Sequence, residues 1–466
     1  MAPKTSATTA KVMPKYLSAS PEKWRAAPEG GDFRWGIWSM GPEAANRVGK
    51  LRGRMRYDAF QAQMDLLVPA RLAAGMANAA LAMGLPWLRQ LPPLAQMSAG
   101  WEMLTRAGLT HHRPDYGFRS VRVGAEDVPV TEQVVAGSVF GNLVRFRKEG
   151  DPEQPRVLLV APLSGHFATL LRGTVETLLP DNDVYITDWR NARDAPVSAG
   201  AFGFDEYVAH VIDFLETIGP GGHLIGVCQP CAHALAAVAI MAEDDNPAVP
   251  LSLTLMAGPV DTRVNPTKVN DLAQSHAIGW FERELIATVP ARYPGAGRRV
   301  YPGFVQLTAF MLMNLGRHVD AHVDLYSHLA AGRAPEAEAA KTFYDEYFAV
   351  LDLTAEFYLE TVSRVFQDHL LPKGELAHRG RAVKTAAITD IALMTIEGQH
   401  DDISGVGQTQ AAHALCPSLP DSMKELYIHP EVGHYGVFNG TRFRNDIYPR
   451  VRDFIARNTA AQRVAA

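Results

Sequence analysis

Short continuous apolar runs recur along the middle of the chain: Arg156–Pro162, Asp183–Trp189, His223–Val227, Leu251–Ala257, Ile391–Glu397 and Lys424–His429. Runs of four to eight apolar residues bounded by turn residues read as strands buried on both faces. Val130–Arg147 precedes them. It reads as two strands turning near Gly137 or Gly141, an antiparallel start to the sheet. Helical patterns lie between most of these runs: Thr169–Leu179, Phe204–Ile218, Cys231–Ala242 and Ala411–Leu415. Strands alternating with helices predict an α/β class, a mostly parallel central sheet with helices on both faces.

Two stretches break the alternation. From Asp261 to Arg381 no convincing strand appears, and Phe304–Leu315 and Thr342–Phe366 are aromatic-rich and helical in pattern. An insertion between the sixth and seventh strands would lie over the C-terminal edge of the sheet as a helical cap. At the other end, Met55–Gly84 is rich in Ala, Leu and Met at helical spacing and is broken by Gly84, Pro86 and Pro92-Pro93. The expected organisation is a basic flexible extension at 1–54, a core at 55–261 and 381–466 with an N-terminal helical segment, and a cap at 262–380. For Met55–Leu88 the expected role is ordinary packing on the core, with contact to a hydrophobic surface as the alternative.

Composition narrows the class. With 466 residues, 47% apolar and 20% charged, the chain can bury a large core. The net charge of −5 gives no overall basic field for nucleic acid. Residues 1–54 carry ten Lys/Arg against four Asp/Glu, a local net of +6. No apolar h-region of a signal peptide is present there, so Sec export is not expected; a transit peptide is the lesser alternative, since the first acidic residue is Glu22. No uninterrupted apolar run of about 18 residues marks a membrane span. Only three cysteines occur, so no disulfide scaffold is expected and a reducing compartment fits. His111-His112 has no evident third ligand, and Gly219-Pro220-Gly221-Gly222 lacks the Lys-Ser/Thr of a phosphate loop, so neither a metal nor a cofactor is expected. The sequence leaves a homo-oligomer open.

The candidate chemistry sits at His223-Leu224-Ile225-Gly226-Val227-Cys228-Gln229-Pro230. A strand, a Gly-x-Cys turn and a small-residue helix have the layout of a nucleophile elbow, with cysteine where serine is usual in an α/β-hydrolase fold. Pro230 stands where the second glycine of Gly-x-Ser-x-Gly would be. Two other readings compete: a buried inert thiol, and a redox pair in Cys228-Gln229-Pro230-Cys231. A nucleophile of this kind needs a base and an acid that orients it, following in the order acid, then histidine. Asp401 follows one strand and His434 follows the last. Asp402 competes as the acid; His400 and His429 compete as the base. Of the sixteen histidines any one is more often structural, so the ordered set carries the argument. The oxyanion hole is expected from the backbone N–H of Gln229 and of Leu163 or Ser164 in the loop after Arg156–Pro162. Asp188-Trp189-Arg190 is expected to be structural rather than pocket-lining.

Several long segments then resemble one family in order: VLLVAPLSGHFATLLRGTVETLLP (157–180), DVYITDWRNAR (183–193), HLIGVCQP (223–230), GQHDDISGVGQTQAAHALC (398–416) and HPEVGHYGVFNG (429–440). The chain resembles intracellular polyhydroxybutyrate depolymerases of the cysteine type, from about Met55 to the C-terminus. The resemblance implies an α/β-hydrolase fold, Cys228, Asp401 and His434 as the catalytic set, and hydrolysis of amorphous poly-3-hydroxybutyrate through a 3-hydroxyacyl thioester. It also implies a cytoplasmic protein at the surface of polymer granules. Cys231 and the basic extension depart from the family pattern; Cys231 raises oxidative inactivation through a 228–231 bond. Three rival readings remain: a polyhydroxyalkanoate synthase running acyl transfer from 3-hydroxyacyl-CoA, a thiol-disulfide oxidoreductase built on Cys228 and Cys231, and a non-enzymatic granule coat. Against the synthase stand Gln229-Pro230 after the nucleophile and the segment APLSGHFATLLRG.

Overall fold

The apolar runs assemble into one nine-stranded sheet. In the computed structural model, which describes residues 42–84, 91–313 and 315–465, an N-terminal pair of helices, α1 (Pro42–Met83) and α2 (Pro92–Arg106), precedes it. The strands in chain order are β1 (Ser120–Val123), β2 (Glu126–Gly137), β3 (Gly141–Lys148), β4 (Arg156–Val160), β5 (Asp183–Trp189), β6 (His223–Val227) and β7 (Ser252–Met256). After a long insertion come β13 (Ala392–Gly398) and β14 (Lys424–His429). The spatial order is β1-β2-β3-β5-β4-β6-β7-β13-β14. β1, β2 and β3 pair antiparallel, β3 joins β5 antiparallel, and every pairing from β5 to β14 is parallel. A parallel sheet led by an antiparallel strand, with β4 and β5 exchanged in order, is the α/β-hydrolase fold.

Burial explains why these strands read so clearly. β6, β7 and β13 are buried at every position, because helices cover both faces. Between strands lie α3 (Arg172–Leu178), α4 (Phe204–Ile218) and α5 (Cys231–Glu243). α4 and α5 pack on each other and on β4, β6 and β7. Eleven of α5's thirteen residues are buried, and its alanines let it lie close to β6.

The insertion holds α6 (Lys268–Ser275), α7 (Ile278–Leu285), α8 (Gly303–Met313), α9 (Leu315–Ala330), α10 (Ala334–Tyr347) and α11 (Ala355–Thr361). It is not purely helical. β8 (Ala287–Thr288), β9 (Arg299–Tyr301) and β10 (Leu353–Thr354) make a small antiparallel sheet, and β11 (Ala377–His378) pairs with β12 (Arg381–Ala382). Strands of two or three residues are too short to show a period, so the sequence pattern missed them. The expected helix over Thr342–Phe366 is interrupted for a tertiary reason. Val350 bridges to His166 and Leu351 N–H donates to the Gly165 carbonyl at 3.0 Å. Asp352, fully buried, accepts from the Tyr57 hydroxyl at 2.5 Å and from Gly303 N–H at 2.9 Å, and its own N–H reaches Asn191 Oδ1 at 3.0 Å. Side chain and backbone of this one residue thus tie α1, the insertion and the loop after β5 together.

Two expectations for the N-terminal region change. Residues 1–41 of the basic extension and Pro86 lie outside the described residues, but α1 begins at Pro42, well inside the stretch read as flexible. Core packing is overturned for the described part of the stretch, 56–84. α1 buries Tyr57 and Ala74, yet only 6% of its most apolar 18-residue window is buried, and Leu66, Leu72 and Met76 are 79%, 62% and 69% exposed. Helical spacing does not tell a face toward the core from a face left open. Arg56–Met83 is also long and apolar enough to cross a membrane by length and composition, a weak signal because a single such helix in a soluble protein passes the same test. The same helix packs on α2, α7 and β8.

Three buried histidines make the fold acid-sensitive. Burial pushes His166 and His223 down to about 4 and His233 down to about 3. His223 bonds Ser252 Oγ and Thr459 Oγ1, while His233 stacks on Phe204 at 4.0 Å. An unfolded histidine takes a proton near pH 6.5; these cannot until far lower pH. The stability is therefore complete above about pH 6.5 and is lost as pH falls toward 4, at up to ~1.4 kcal/mol per pH unit for each histidine. Thermal melts across pH 7.5 to 4.5 should show this fall, and His233→Leu should flatten it. An unchanged slope in the variant would refute the assignment to His233.

Candidate active site

At the end of β6 the backbone turns sharply. Cys228 has φ +64°, a left-handed conformation costly for a side-chain-bearing residue. Its N–H donates to the Met256 carbonyl at 2.7 Å, and its carbonyl accepts from Cys231 N–H at 3.1 Å, which starts α5. Pro230 sits at the helix N-cap with φ −75°, a value its ring prefers. The second glycine of the usual elbow is therefore not required here. Gly226 is: a Cβ there would meet Ala234 Cβ at 3.3 Å and Leu255 Cδ2 at 3.4 Å. Gly258, which the sequence did not single out, is stricter still, since a Cβ would overlap the Cys231 sulfur and the Cys228 carbonyl. The turn leaves Cys228 half-buried just before the N-terminus of α5.

The structure brings Asp401 and His434 to this sulfur. His434 Nε2 lies 3.1 Å from Cys228 Sγ, and its Nδ1 lies 2.9 Å from Asp401 Oδ2. The other oxygen of Asp401 accepts from Ile403 N–H at 2.9 Å and Ser404 N–H at 2.8 Å, which fixes the carboxylate. The carboxylate in turn sets the imidazole tautomer, with Nε2 facing the sulfur. Burial opposes a charge on His434, but the Asp401 carboxylate and the Cys228 sulfur outweigh it and hold its pKa well above the usual range. The competitors fall elsewhere. His400 and Asp402 are exposed, and His429 is buried against Asp446 at 3.2 Å while its Nδ1 accepts from Glu431 N–H.

The loop after β4 faces the elbow. Its base is anchored: the Ala161 carbonyl accepts from Trp189 Nε1 at 2.8 Å and the Tyr207 hydroxyl at 3.1 Å. Leu163 N–H donates to Gln229 Oε1 at 3.3 Å, so two of the three expected oxyanion residues touch each other. Ser164 adjoins them in the same loop. The insertion closes over this loop. Gln306 of α8 lies against Gly165, and Phe310 and Tyr347 flank the His166 ring at 5.9 and 5.1 Å. Tyr435, next to His434, packs with Tyr347 and Val350. Burial, then Tyr347 and then Cys228, pushes its phenol well above the usual value. His166 and Tyr435 could have been noticed as neighbours of expected site residues; nothing in the sequence joins them to Tyr347. Asp188 pairs with Arg113 at 3.0 Å beside the buried Trp189, the structural role expected. Among the described residues no three His, Cys, Asp or Glu side chains gather as a metal site.

Cys231 has a packing role. It is fully buried, and its thiol lies 3.4 Å from the Gly226 carbonyl and 3.7 Å from that of Met256. Burial, reinforced by Cys228, raises its pKa well above the ordinary thiol value. Redox-active thiols have the opposite character, exposed and acidic. Cys231→Ser should therefore keep most of the activity that depends on Cys228 under reductant, at a stability cost of about 1–2 kcal/mol for the hydroxyl; complete loss of activity in a folded variant would restore the redox reading.

With this geometry in hand, residues 257–459 match the family described as PHB de-polymerase C-terminus. The matched span contains Asp401 and His434 but not Cys228. No curated protein matches the chain. Similar solved structures include a 2-hydroxy-6-oxo-6-phenylhexa-2,4-dienoate hydrolase from Rhodococcus sp. strain RHA1, at 11% identity and TM-score 0.38, covering 71% of this chain and 99% of that one. A thermophilic esterase from Thermogutta terrifontis is similar at 13% identity and TM-score 0.35, covering 72% and 97%. The thioesterase domain from the curacin biosynthetic pathway is similar at 11% identity and TM-score 0.38, covering 70% and 99%. The fold assignment itself rests on the strand order and the elbow. Residues 257–459 thus carry a PHB depolymerase C-terminal domain on an α/β-hydrolase fold, and the chain is an ester hydrolase.

Proposed function

We propose that the chain cleaves poly-3-hydroxybutyrate with Cys228 as nucleophile, His434 as base and Asp401 as the acid that orients it. The observation that carries this is the relay from Asp401 through His434 to a sulfur held on a positive-φ turn, with contacts of 2.9 and 3.1 Å. His434 takes the thiol proton, and the raised basicity of its ring favours that transfer. The thiolate adds to an ester carbonyl, and backbone N–H groups of Gln229 and of Leu163 or Ser164 hold the oxyanion. As the carbon–oxygen bond breaks, the imidazolium protonates the leaving alkoxide and a 3-hydroxyacyl thioester stays on Cys228. His434 then deprotonates a water that attacks the thioester; the acid leaves and the thiol is restored. Asp401 stabilises each imidazolium without leaving its backbone donors.

The test is release of 3-hydroxybutyrate and its oligomers from amorphous polymer under reductant. Cys228→Ala should abolish release with the fold intact, and His434→Gln should lower it by roughly 10³-fold or more. Full activity in Cys228→Ala would remove the nucleophile, and wild-type rates in His434→Gln would move the base elsewhere. A parallel reaction with 3-hydroxybutyryl-CoA distinguishes a synthase: CoA release with polymer growth and no soluble acid would overturn hydrolysis.

The partner we propose is the polymer surface in cytoplasmic granules, met through the open apolar side of α1. Leu66, Leu72 and Met76 are exposed there, and a solid polyester would remove them from water at about 25 cal/mol per Å². Leu66→Asp with Leu72→Asp should reduce activity on granules severalfold while leaving hydrolysis of a soluble short-chain ester unchanged. Equal activity on both substrates would discard this surface, and binding to phospholipid vesicles in preference to polymer would reassign it to a membrane.

A further inference from the structure

The residue after the nucleophile does two things at once. Its backbone N–H is the first expected oxyanion donor, while its side-chain Oε1 accepts from Leu163 N–H, a second expected donor, at 3.3 Å. The Leu163 amide is thus already engaged in the resting protein. The other end of the same carboxamide, Nε2, is buried with no hydrogen-bond partner. Among the described residues the backbone N–H groups of Gln229 and Ser164 donate to no backbone carbonyl. Leu163 is buried, whereas Gln229 and Cys228 are half-buried and reachable.

From this arrangement we propose that the Gln229 side chain is a displaceable stopper on the oxyanion hole, holding Leu163 N–H until the substrate carbonyl takes its place. The inference rests on the Cys228 reading above. Its physical basis is an unequal exchange. The resting bond is long and neutral on both sides, hence among the weaker kinds. The incoming oxygen becomes negative in the transition state, and a charge-assisted bond to the same N–H is about twice as strong. The stoppered state also leaves a buried donor unsatisfied, which an isolated amide would avoid. Displacement therefore grows more favourable as the reaction proceeds. An ester whose carbonyl cannot reach Leu163 leaves the hole closed, so Gln229 also discriminates between substrates. It acts by occupying a donor and holds no proton in the reaction.

The test uses the full-length protein and p-nitrophenyl butyrate, comparing wild type, Cys228→Ala, Gln229→Met and Gln229→Glu. Methionine has similar volume but cannot grip Leu163 N–H through oxygen, so kcat/KM should rise about two- to tenfold, the weight of one ordinary hydrogen bond. Glutamate grips more tightly and repels the oxyanion. Its kcat/KM should fall at least roughly tenfold and recover as pH is lowered enough to protonate the carboxyl. A purely structural role would lower both variants together. If Gln229→Met is folded by its melting curve and its kcat/KM is equal to or below wild type, the stopper is refuted; Gln229→Leu repeats the measurement if the methionine variant does not fold. Turnover that persists in Cys228→Ala, or is absent from wild type, would instead bring down the nucleophile reading and the stopper with it.

Discussion

Everything at the site is referenced to the left-handed turn at Cys228. A non-glycine residue at φ +64° costs on the order of 1–3 kcal/mol, and such a conformation persists only where its surroundings overdetermine it. Here they do. β6 is clamped between β4 and β7, the Cys228 N–H is held by Met256, and α5 starts on the Cys228 carbonyl. The alanines of α5 and the missing side chains at Gly226 and Gly258 let these pieces close to contact. Cys231 fills the space that Gly258 leaves. The second thiol is therefore explained by the same close approach that makes the turn possible.

A second constraint sets what stands opposite the turn. Asp352 is fully buried, yet its pKa is lowered; burial raises it, but His111, the Tyr57 hydroxyl and Gly303 N–H outweigh the desolvation. A buried carboxylate that collects donors from three separate segments locks their relative position. The consequence reaches the site through the next few residues. Val350 and Leu351 pair with His166 and Gly165, so the aromatic layer of α8 and α10 is held against the loop that carries Leu163. The cap is placed by a polar anchor as much as by apolar packing.

The balance of apolar surface is uneven across the molecule. The central strands β4 to β7 and β13, and α5, are almost wholly buried, while α1 and α9 leave large side chains in solvent, among them Leu72, Val319 and Val323. Isolated apolar residues on a surface are ordinary; a succession along one helix is not. If the substrate is the polyester proposed above, such a face would have a use, with adhesion and chemistry on different residues.

The sequence by itself determined the parallel strands, the elbow and the order Cys228, Asp401, His434, because each rests on a local pattern: apolar runs of strand length, small residues after a turn, polar residues just past a strand end. It also offered Gln229, Leu163 and Ser164 as the expected oxyanion donors. Which aspartate orients the histidine, and which histidine meets the sulfur, was decided only in three dimensions, since Asp401 and Asp402 adjoin in one loop and His429 ends β14 just before the loop that carries His434. The same holds for the break at 349–354, where long-range bonds to Gly165, Thr110 and Tyr57 overrode a helical pattern. The exposed side of α1 and the grip of Gln229 on Leu163 were equally invisible, because periodicity records that a face is apolar and not what covers it, and a hydrogen bond across 66 residues leaves no trace in local sequence.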